Sequence, residues 1–414
     1  MADNCRPPLP AYLSEREQNA SFFLLANSRG IMRHARYVIG FAFVVLLFCP
    51  AQVHGQESAA PAKTSVSKAV PDPGKDAKPF HEDWTTLTLE HSTLKMEPPV
   101  VGVVDDIPGT GFIRERHNVT WREGDPFDLY VVLPRSVKNP PVVLYLYSYP
   151  DDTELFKSNH WCETAVSGGY AAVGFVSAFT GHRLRSHLLK ESFVSEMQEA
   201  LAETTHDVQL ILDYLATRKD LDSTRVGMLG VGSGASIAIL ASAADPRIRA
   251  VDLLGAWGDW PNWLEHSKVI ADVERPNFLK PEFFAKVAPL EPVVWLPKMK
   301  AKVVRIQDVR KNVSMPDESQ EKLEAAAPDF ALVNEYGNGR AYLTVQPPAF
   351  AFQWVKDQLK PDAKLGVVSE KAERVHFFPA MVDKPAAGAS QSPATDKEKE
   401  KDGSKAKTAG PVSK

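Results

Sequence analysis

Residues able to carry out acyl-transfer chemistry gather around one short segment. Arg225-Val-Gly-Met-Leu-Gly230-Val231-Gly232-Ser233-Gly234-Ala235 reads as a strand, a sharp glycine-rich turn and a helix. Ser233 stands in the turn and Ser236 just after it. Either hydroxyl becomes a nucleophile only if a base takes its proton and an acid orients that base, through hydrogen bonds of about 2.6–3.2 Å. His182, in Thr180-Gly181-His182-Arg183, is the candidate base. Asp259, just after an expected strand end, and Asp308 are the candidate acids. The plainer reading has the Ser233 hydroxyl capping the helix and His182 as a hydrogen-bonded loop residue.

The same glycines admit a second chemistry. Gly230-x-Gly232-x-x-Ala235 fits the G-x-G-x-x-G/A fingerprint of a dinucleotide site. Such a site also wants an acid at the end of the next strand, about twenty residues on. Asp252 has nearly that spacing but lies inside the strand. Further along, Trp257-Gly-Asp259-Trp260-Pro-Asn-Trp263 concentrates indoles, which either line a pocket for a sugar or aromatic ligand or form a lid packed on the core. Tyr145, Tyr147 and Tyr149 alternate along one strand and end near Ser148. Ser148, Tyr149, Ser233, Trp257 and Trp260 form the candidate ligand-binding set. The unpaired N–H groups of the helix start suit an anion or a carboxylate.

These residues need a scaffold, and the pattern supplies one. Thr86–Leu94, Gly111–Trp121 and Phe127–Leu133 alternate like strands, the last two around the turn-like segment 122–126. Val142–Tyr147 and Ala171–Val176 are continuous apolar runs, as buried parallel strands are. Further strands are expected at 225–229, 248–254, 303–306 and 330–333, with helices at 155–168, 191–218, 235–244 and 350–359. Strand alternating with helix implies a mostly parallel sheet covered on both faces, here with an N-terminal β extension.

On the 225–235 block, with Asp213-Tyr-Leu-Ala-Thr-Arg218 before it and Asp245-Pro-Arg-Ile-Arg after it, the sequence resembles the α/β-hydrolase superfamily, particularly dienelactone-hydrolase and prolyl-oligopeptidase-like domains. The resemblance spans roughly residues 125–360. It implies a nucleophile at the middle of G-x-S-x-G, on a strained turn. Gly230 and Gly234 match the outer glycines, and the middle position is Gly232. Ser233 falls where the family uses a backbone N–H for its oxyanion hole. The acid position falls on Lys311 and the histidine position on Asn338. No histidine occurs between His266 and His376, and Tyr147-Ser148-Tyr149-Pro150 stands in place of the oxyanion loop. The resemblance therefore implies a degenerate triad, and with it a non-catalytic binding or scaffold protein. An ester or peptide hydrolase with Ser233, His182 and Asp259 relocated is the alternative, and a dinucleotide-binding protein the third reading.

The chain has 414 residues, 44% hydrophobic and 24% charged, with a net charge of −4. That is globular composition without the basic excess of a nucleic-acid binder. Met32, followed by Arg33, Arg36 and the short apolar run Tyr37–Phe48, and then Val53-His54-Gly55, predicts an export leader over 32–55. Residues 1–31 then read as a start-site extension, and the run is too short for a comfortable membrane span. Periplasmic or secreted export is expected, with an uncleaved N-terminal anchor as the alternative. Residues 56–80 read as a disordered linker, 81–376 as the folded domain and 377–414 as a disordered tail rich in Ala, Ser, Pro and Lys. Cleavage after Gly55 leaves Cys162 alone, so neither an intrachain disulfide nor a cysteine metal site is expected. The sequence calls for no cofactor and no metal. A small molecule, a carboxylate or a protein is the expected ligand class.

Overall fold

The computed structural model describes residues 80–151, 153–179, 183, 193–346, 352–363 and 373–377. The expected leader, most of the linker and nearly all of the expected tail lie outside these residues, as does His182.

Among the described residues ten strands form one sheet: β1 Val100–Asp105, β2 Phe112–Val119, β3 Phe127–Pro134, β4 Pro141–Leu146, β5 Ala171–Phe175, β6 Asp222–Val231, β7 Ile248–Leu254, β8 Val303–Val309, β9 Ala331–Tyr336 and β10 Glu373–Phe377. Their spatial order is β1-β2-β3-β5-β4-β6-β7-β8-β9-β10. β1, β2 and β3 pair antiparallel, and β3 meets β5 antiparallel. From β5 to β10 every pairing is parallel. The exchange of β4 and β5 in the order is the crossover of the α/β-hydrolase fold, and it puts β4 and β6 side by side at the centre.

The helices are α1 Glu154–Lys157, α2 Asn159–Val166, α3 Met197–Thr217, α4 Ser233–Ala244, α5 Trp260–His266, α6 Arg275–Phe278, α7 Pro281–Val287, α8 Pro292–Trp295, α9 Asp317–Ala325, α10 Gly339–Val345 and α11 Gln353–Gln358. α3 and α4 pack with β6 and β7 in the larger core, which also holds the tryptophans of 257–263. The opposite face carries a second core, in which Phe156, Cys162 and Val166 meet Tyr145, Tyr147 and Val355. Both faces of the sheet are therefore covered. β4 is buried along its whole length, the environment its unbroken apolar run requires. α4 (SGASIAILASAA) is buried through Ala243 because its small residues let the backbone lie close to the strands.

Several boundaries differ from expectation. Residues 86–94 are not a strand. Only a 3₁₀ turn forms at Leu89–His91, because Thr86 bonds locally, its hydroxyl donating to Thr88 O at 3.1 Å, and the segment docks through buried Leu87 and Leu94. The helix expected at 155–168 is broken at Ser158, whose hydroxyl accepts from Trp161 N (3.3 Å) and so starts α2 afresh. β1 and β10 lie where no strand was expected, and β10 includes Phe377, with which the expected tail begins.

An ion network fastens the N-terminal segment to the domain. Arg122 binds Glu82 (2.6 Å) and Asp207 (2.5 Å), and His206 reaches Glu82 at 2.7 Å. Asp207 in turn binds Arg183 (2.7 Å), which pairs with Asp125 (2.5 Å). Burial opposes the charge on Glu82, but hydrogen bonds from Arg122 and His206 hold its carboxyl down at about 2. Nearby Glu203, pushed by burial above all, titrates at about 7.

Candidate functional site

The glycine-rich turn joins β6 to α4 at the end of the sheet where all the parallel strands finish. Gly232 is its pivot, with φ 54° and ψ −120°. L-residues rarely adopt that conformation, and glycine takes it freely. Gly234 fills a second need. A Cβ there would lie 2.4 Å from Leu146 O, so only a bare backbone lets α4 start this close to β4.

The space a side chain would take at Gly232 is filled from the neighbouring loop. A Cβ built there stands 2.1 Å from Ser148 Oγ and 2.8 Å from Ser148 Cβ. Trp257 Nε1 is 3.4 Å from the same point. Trp257 is 2% exposed, and its indole N–H has no hydrogen-bond partner among the described residues. Among the described residues, Ser148 Oγ donates one long bond, to Tyr149 O at 3.2 Å.

Ser233 turns away from this space. Its hydroxyl accepts from Tyr149 N at 2.9 Å and joins the elbow to the loop after β4. It makes no cap on α4, where no side-chain cap bond forms. Ser236 donates to Trp257 O at 2.7 Å and ties the loop after β7 to the same helix. Both serine hydroxyls are therefore used in holding loops together. Tyr149 stacks on Phe193 (centroids 3.9 Å apart), Phe193 approaches Trp257 (6.3 Å), and Trp257 stacks on Trp263 (4.9 Å). This aromatic row roofs the elbow. Trp260 is 1% exposed and donates its Nε1–H to Leu290 O at 3.1 Å. Tyr147 points to the other side of the sheet, where its ring meets Phe156 edge-on.

Neither candidate acid bonds Ser233 or Ser236 among the described residues. Asp259 holds φ 56°, and its carboxylate takes Lys322 Nζ at 2.7 Å and Ser319 Oγ at 3.3 Å, both from α9. Glu291, a residue the sequence reading did not single out, accepts the backbone N–H groups of Asp259 (2.8 Å) and Trp260 (2.7 Å) and so fixes the start of α5. Asp308 is 1% exposed, and no donor reaches either oxygen among the described residues. Burial and the adjacent Glu324 push its carboxyl well above the carboxylate range, so it keeps its proton. Glu324 itself is claimed by Arg310 (2.9 Å) and Arg374 (3.0 Å).

Lys311 has φ 62°, and its backbone N–H donates to Asp317 at 3.2 Å. Its loop borders an open cavity of about 270 Å³, also lined by His266, Lys268, Asn312 and Asp317. Asn338 caps α10, its Oδ1 accepting from Ala341 N at 3.0 Å. Asp252 is consumed inside the sheet by Arg305 (2.9 and 2.6 Å) and Gln307 (2.9 Å), so it is not presented to a ribose.

Besides Glu291, sequence reasoning missed two features here: that Ser148, named only as a ligand-binding candidate, fills the side-chain space at Gly232, and the buried Glu82–Arg122–Asp207 chain. The first had a signal in the loop sequence Tyr147-Ser148-Tyr149, since a small polar residue stands at the end of a buried strand. The second had none, because its members lie 40 and 85 positions apart.

Neither a protein-family model nor a curated protein sequence matches the chain. Solved structures do match it. A 2,6-dihydroxy-pseudo-oxynicotine hydrolase is 17% identical over 63% of this chain and 71% of that one, with a TM-score of 0.48. Acetyl xylan esterase 1 from Thermoanaerobacterium is 14% identical over 61% and 88%, with a TM-score of 0.47. An acylaminoacyl peptidase from Pyrococcus horikoshii is 14% identical over 60% and 40%, with a TM-score of 0.46. This chain has the α/β-hydrolase fold. The assignment rests on the sheet order and the β6–turn–α4 elbow described above. No helix among the described residues is long and apolar enough to cross a membrane.

Proposed function

We propose that this α/β-hydrolase-fold chain lacks the hydrolytic triad of its fold and works as an exported, non-catalytic binding or scaffold protein. One observation carries the reading. The elbow keeps the backbone conformation that presents a nucleophile, but the residue there is Gly232, and Ser148 occupies the space a nucleophile's side chain would need. The surrounding residues agree with it. Ser233 and Ser236 are engaged by loop backbone, Asp259 by Lys322, and Asp308 is held protonated. The positions corresponding to the acid and the base carry Lys311 and Asn338.

What the elbow retains is the capacity to donate hydrogen bonds. Ala235 N–H is already bonded to Gly232 O at 3.0 Å, so the N–H groups of Ser233 and Gly234 are the donors left at the start of α4, and the buried Trp257 indole N–H is a further donor near Gly232. An oxygen acceptor such as a carboxylate, from a small molecule or a protein ligand, suits that set once Ser148 yields its place. Export through the expected leader at 32–55 belongs to the same proposal.

The experiment is a thermal-shift titration with acetate, butyrate and benzoate, run beside a hydrolysis assay on p-nitrophenyl acetate. The expected result is saturable stabilisation that Trp257→Phe removes, with no turnover. Turnover abolished by Ser233→Ala would instead establish a relocated nucleophile.

A further inference from the structure

The segment after α5 and the loop after β8 meet around the open cavity of about 270 Å³. Its lining includes His266, Lys268, Lys311, Asn312 and Asp317, and none of Ser148, Gly232 and Trp257. It is therefore separate from the elbow. Its two walls are tied together. Ser314 O accepts both the Trp263 Nε1–H and the Ser267 hydroxyl at 2.9 Å, and Lys268 N–H donates to Val313 O at 3.2 Å. The cavity is thus built in advance of any ligand.

Nearly every polar group it offers is a donor. Neither the Lys268 nor the Lys311 ammonium has a carboxylate partner among the described residues, whereas the adjacent Arg310 is claimed by Glu324 and Glu335. Asn312 Oδ1 accepts from Ser314 N (2.9 Å) and from the Ser314 hydroxyl (2.8 Å), which leaves its Nδ2 amide to donate. His266 Nδ1–H donates to Asn262 O at 3.2 Å, which leaves Nε2. Asp317 is the one carboxylate of the lining, and it accepts the backbone N–H of Lys311 at 3.2 Å. Two ammonium groups against one carboxylate leave a charge of +1 (2 − 1), and +2 once His266 is protonated, in a chain of net charge −4. Lys311 also holds φ 62°, a left-handed conformation that residues other than glycine and asparagine seldom take, and such residues gather at ligand clamps. Val313, Met315 and Pro316 complete the lining with apolar surface.

We propose that this cavity binds a small organic phosphate monoester, its head held by Lys268, Lys311, Asn312 and His266 and its apolar body set against Val313 and Met315. A phosphate monoester carries about −1.5 to −2 charge at pH 7 and presents three acceptor oxygens, which matches the charge and the donors of the lining. A carboxylate brings half that charge and two oxygens. The inference does not rest on the function proposed for the elbow.

Isothermal titration calorimetry of the full chain with phenyl phosphate, at pH 7 and low salt, should show saturable binding. Lys268→Gln and Lys311→Gly should each weaken it about tenfold. Glycine suits φ 62°, so the second variant removes the ammonium while keeping the loop. Lys302→Gln removes an equal charge just before β8, at the other end of that strand, and should change nothing. Trp257→Phe, which perturbs the elbow, should leave phenyl phosphate binding intact. In that background benzoate, which keeps the ring but has one charge, and inorganic phosphate, which lacks the ring, should each bind about fivefold or more weakly. The ring signals of His266 should shift on binding in NMR spectra assigned with His266→Gln. No saturable binding, an affinity indifferent to Lys268→Gln and Lys311→Gly, an equal loss in Lys302→Gln or unmoved His266 signals would each overturn the proposal. Benzoate or inorganic phosphate binding as tightly as phenyl phosphate would overturn the ligand class. Binding lost in Trp257→Phe and kept in both lysine variants would place the anion at the elbow, overturning this site while supporting that one.

Discussion

Replacing Gly232 by alanine adds a single methyl group at the elbow, and the structure sets how much it should cost. The backbone there, at φ 54° and ψ −120°, is strained for any L-residue by about 1–3 kcal/mol. The new Cβ also falls 2.1 Å from Ser148 Oγ and 2.8 Å from Ser148 Cβ, and relieving that overlap costs about 1–3 kcal/mol more. Gly232→Ala should therefore destabilise the protein by about 2–6 kcal/mol in urea unfolding monitored by tryptophan fluorescence. The two parts separate in a double-mutant cycle. Ser148→Gly removes the overlap but not the strain, so the pair should show a favourable coupling of about 1–3 kcal/mol, and the residual loss should match the strain alone. A Gly232→Ala protein within about 0.5 kcal/mol of the parent, or a coupling near zero, would refute the claim that Ser148 fills the elbow.

Other perturbations test the surroundings. Ser233→Ala leaves the Tyr149 N–H without its acceptor and should cost about 1–3 kcal/mol, with faster hydrogen exchange at that amide in the folded protein. Glu82→Gln breaks a buried ion pair with Arg122 and should cost about 3–5 kcal/mol at pH 7. Because the Glu82 carboxyl titrates at about 2 in the folded protein against 4.5 in an open chain, its stabilisation is present above pH 4.5. It is lost as pH falls toward 2, so urea midpoints of parent and variant should converge there. Asp308→Asn has the opposite sign. The folded protein holds this carboxyl protonated well above its ordinary 3.8, so the parent loses stability as pH rises past 3.8. The variant should be the more stable at pH 7, and the gain should vanish at pH 3.

The sheet was legible because its strands announce themselves. Val142–Leu146 and Ala171–Phe175 are apolar runs buried on both faces, and the structure places strands there. β1 escaped notice because a bulge at Gly102 and exposure on both faces remove the alternation that marks a half-buried strand. The 86–94 segment misled in the opposite way. It alternates, yet no neighbouring strand offers it a ladder, and local hydroxyl bonds take over. At the elbow the sequence showed which residues stand at the turn, and the backbone angles at Gly232 agree with a strained pivot. It did not show that Ser148, 84 positions before Gly232, reaches the same point, since that contact exists only once β4 and β6 lie side by side. The neighbours of Asp259 and Asp308 were hidden for the same reason, because Lys322 and Glu324 are brought to them by the packing of α9.

The absence of a working nucleophile is the central claim, and fluorophosphonate labelling read by intact mass tests it most directly. The folded parent, Ser233→Ala and Ser148→Ala proteins would be incubated with the probe beside a serine hydrolase as positive control. The account predicts an unmodified mass for all three. A stoichiometric adduct on the parent that disappears in either serine variant would contradict it and identify that serine as the nucleophile.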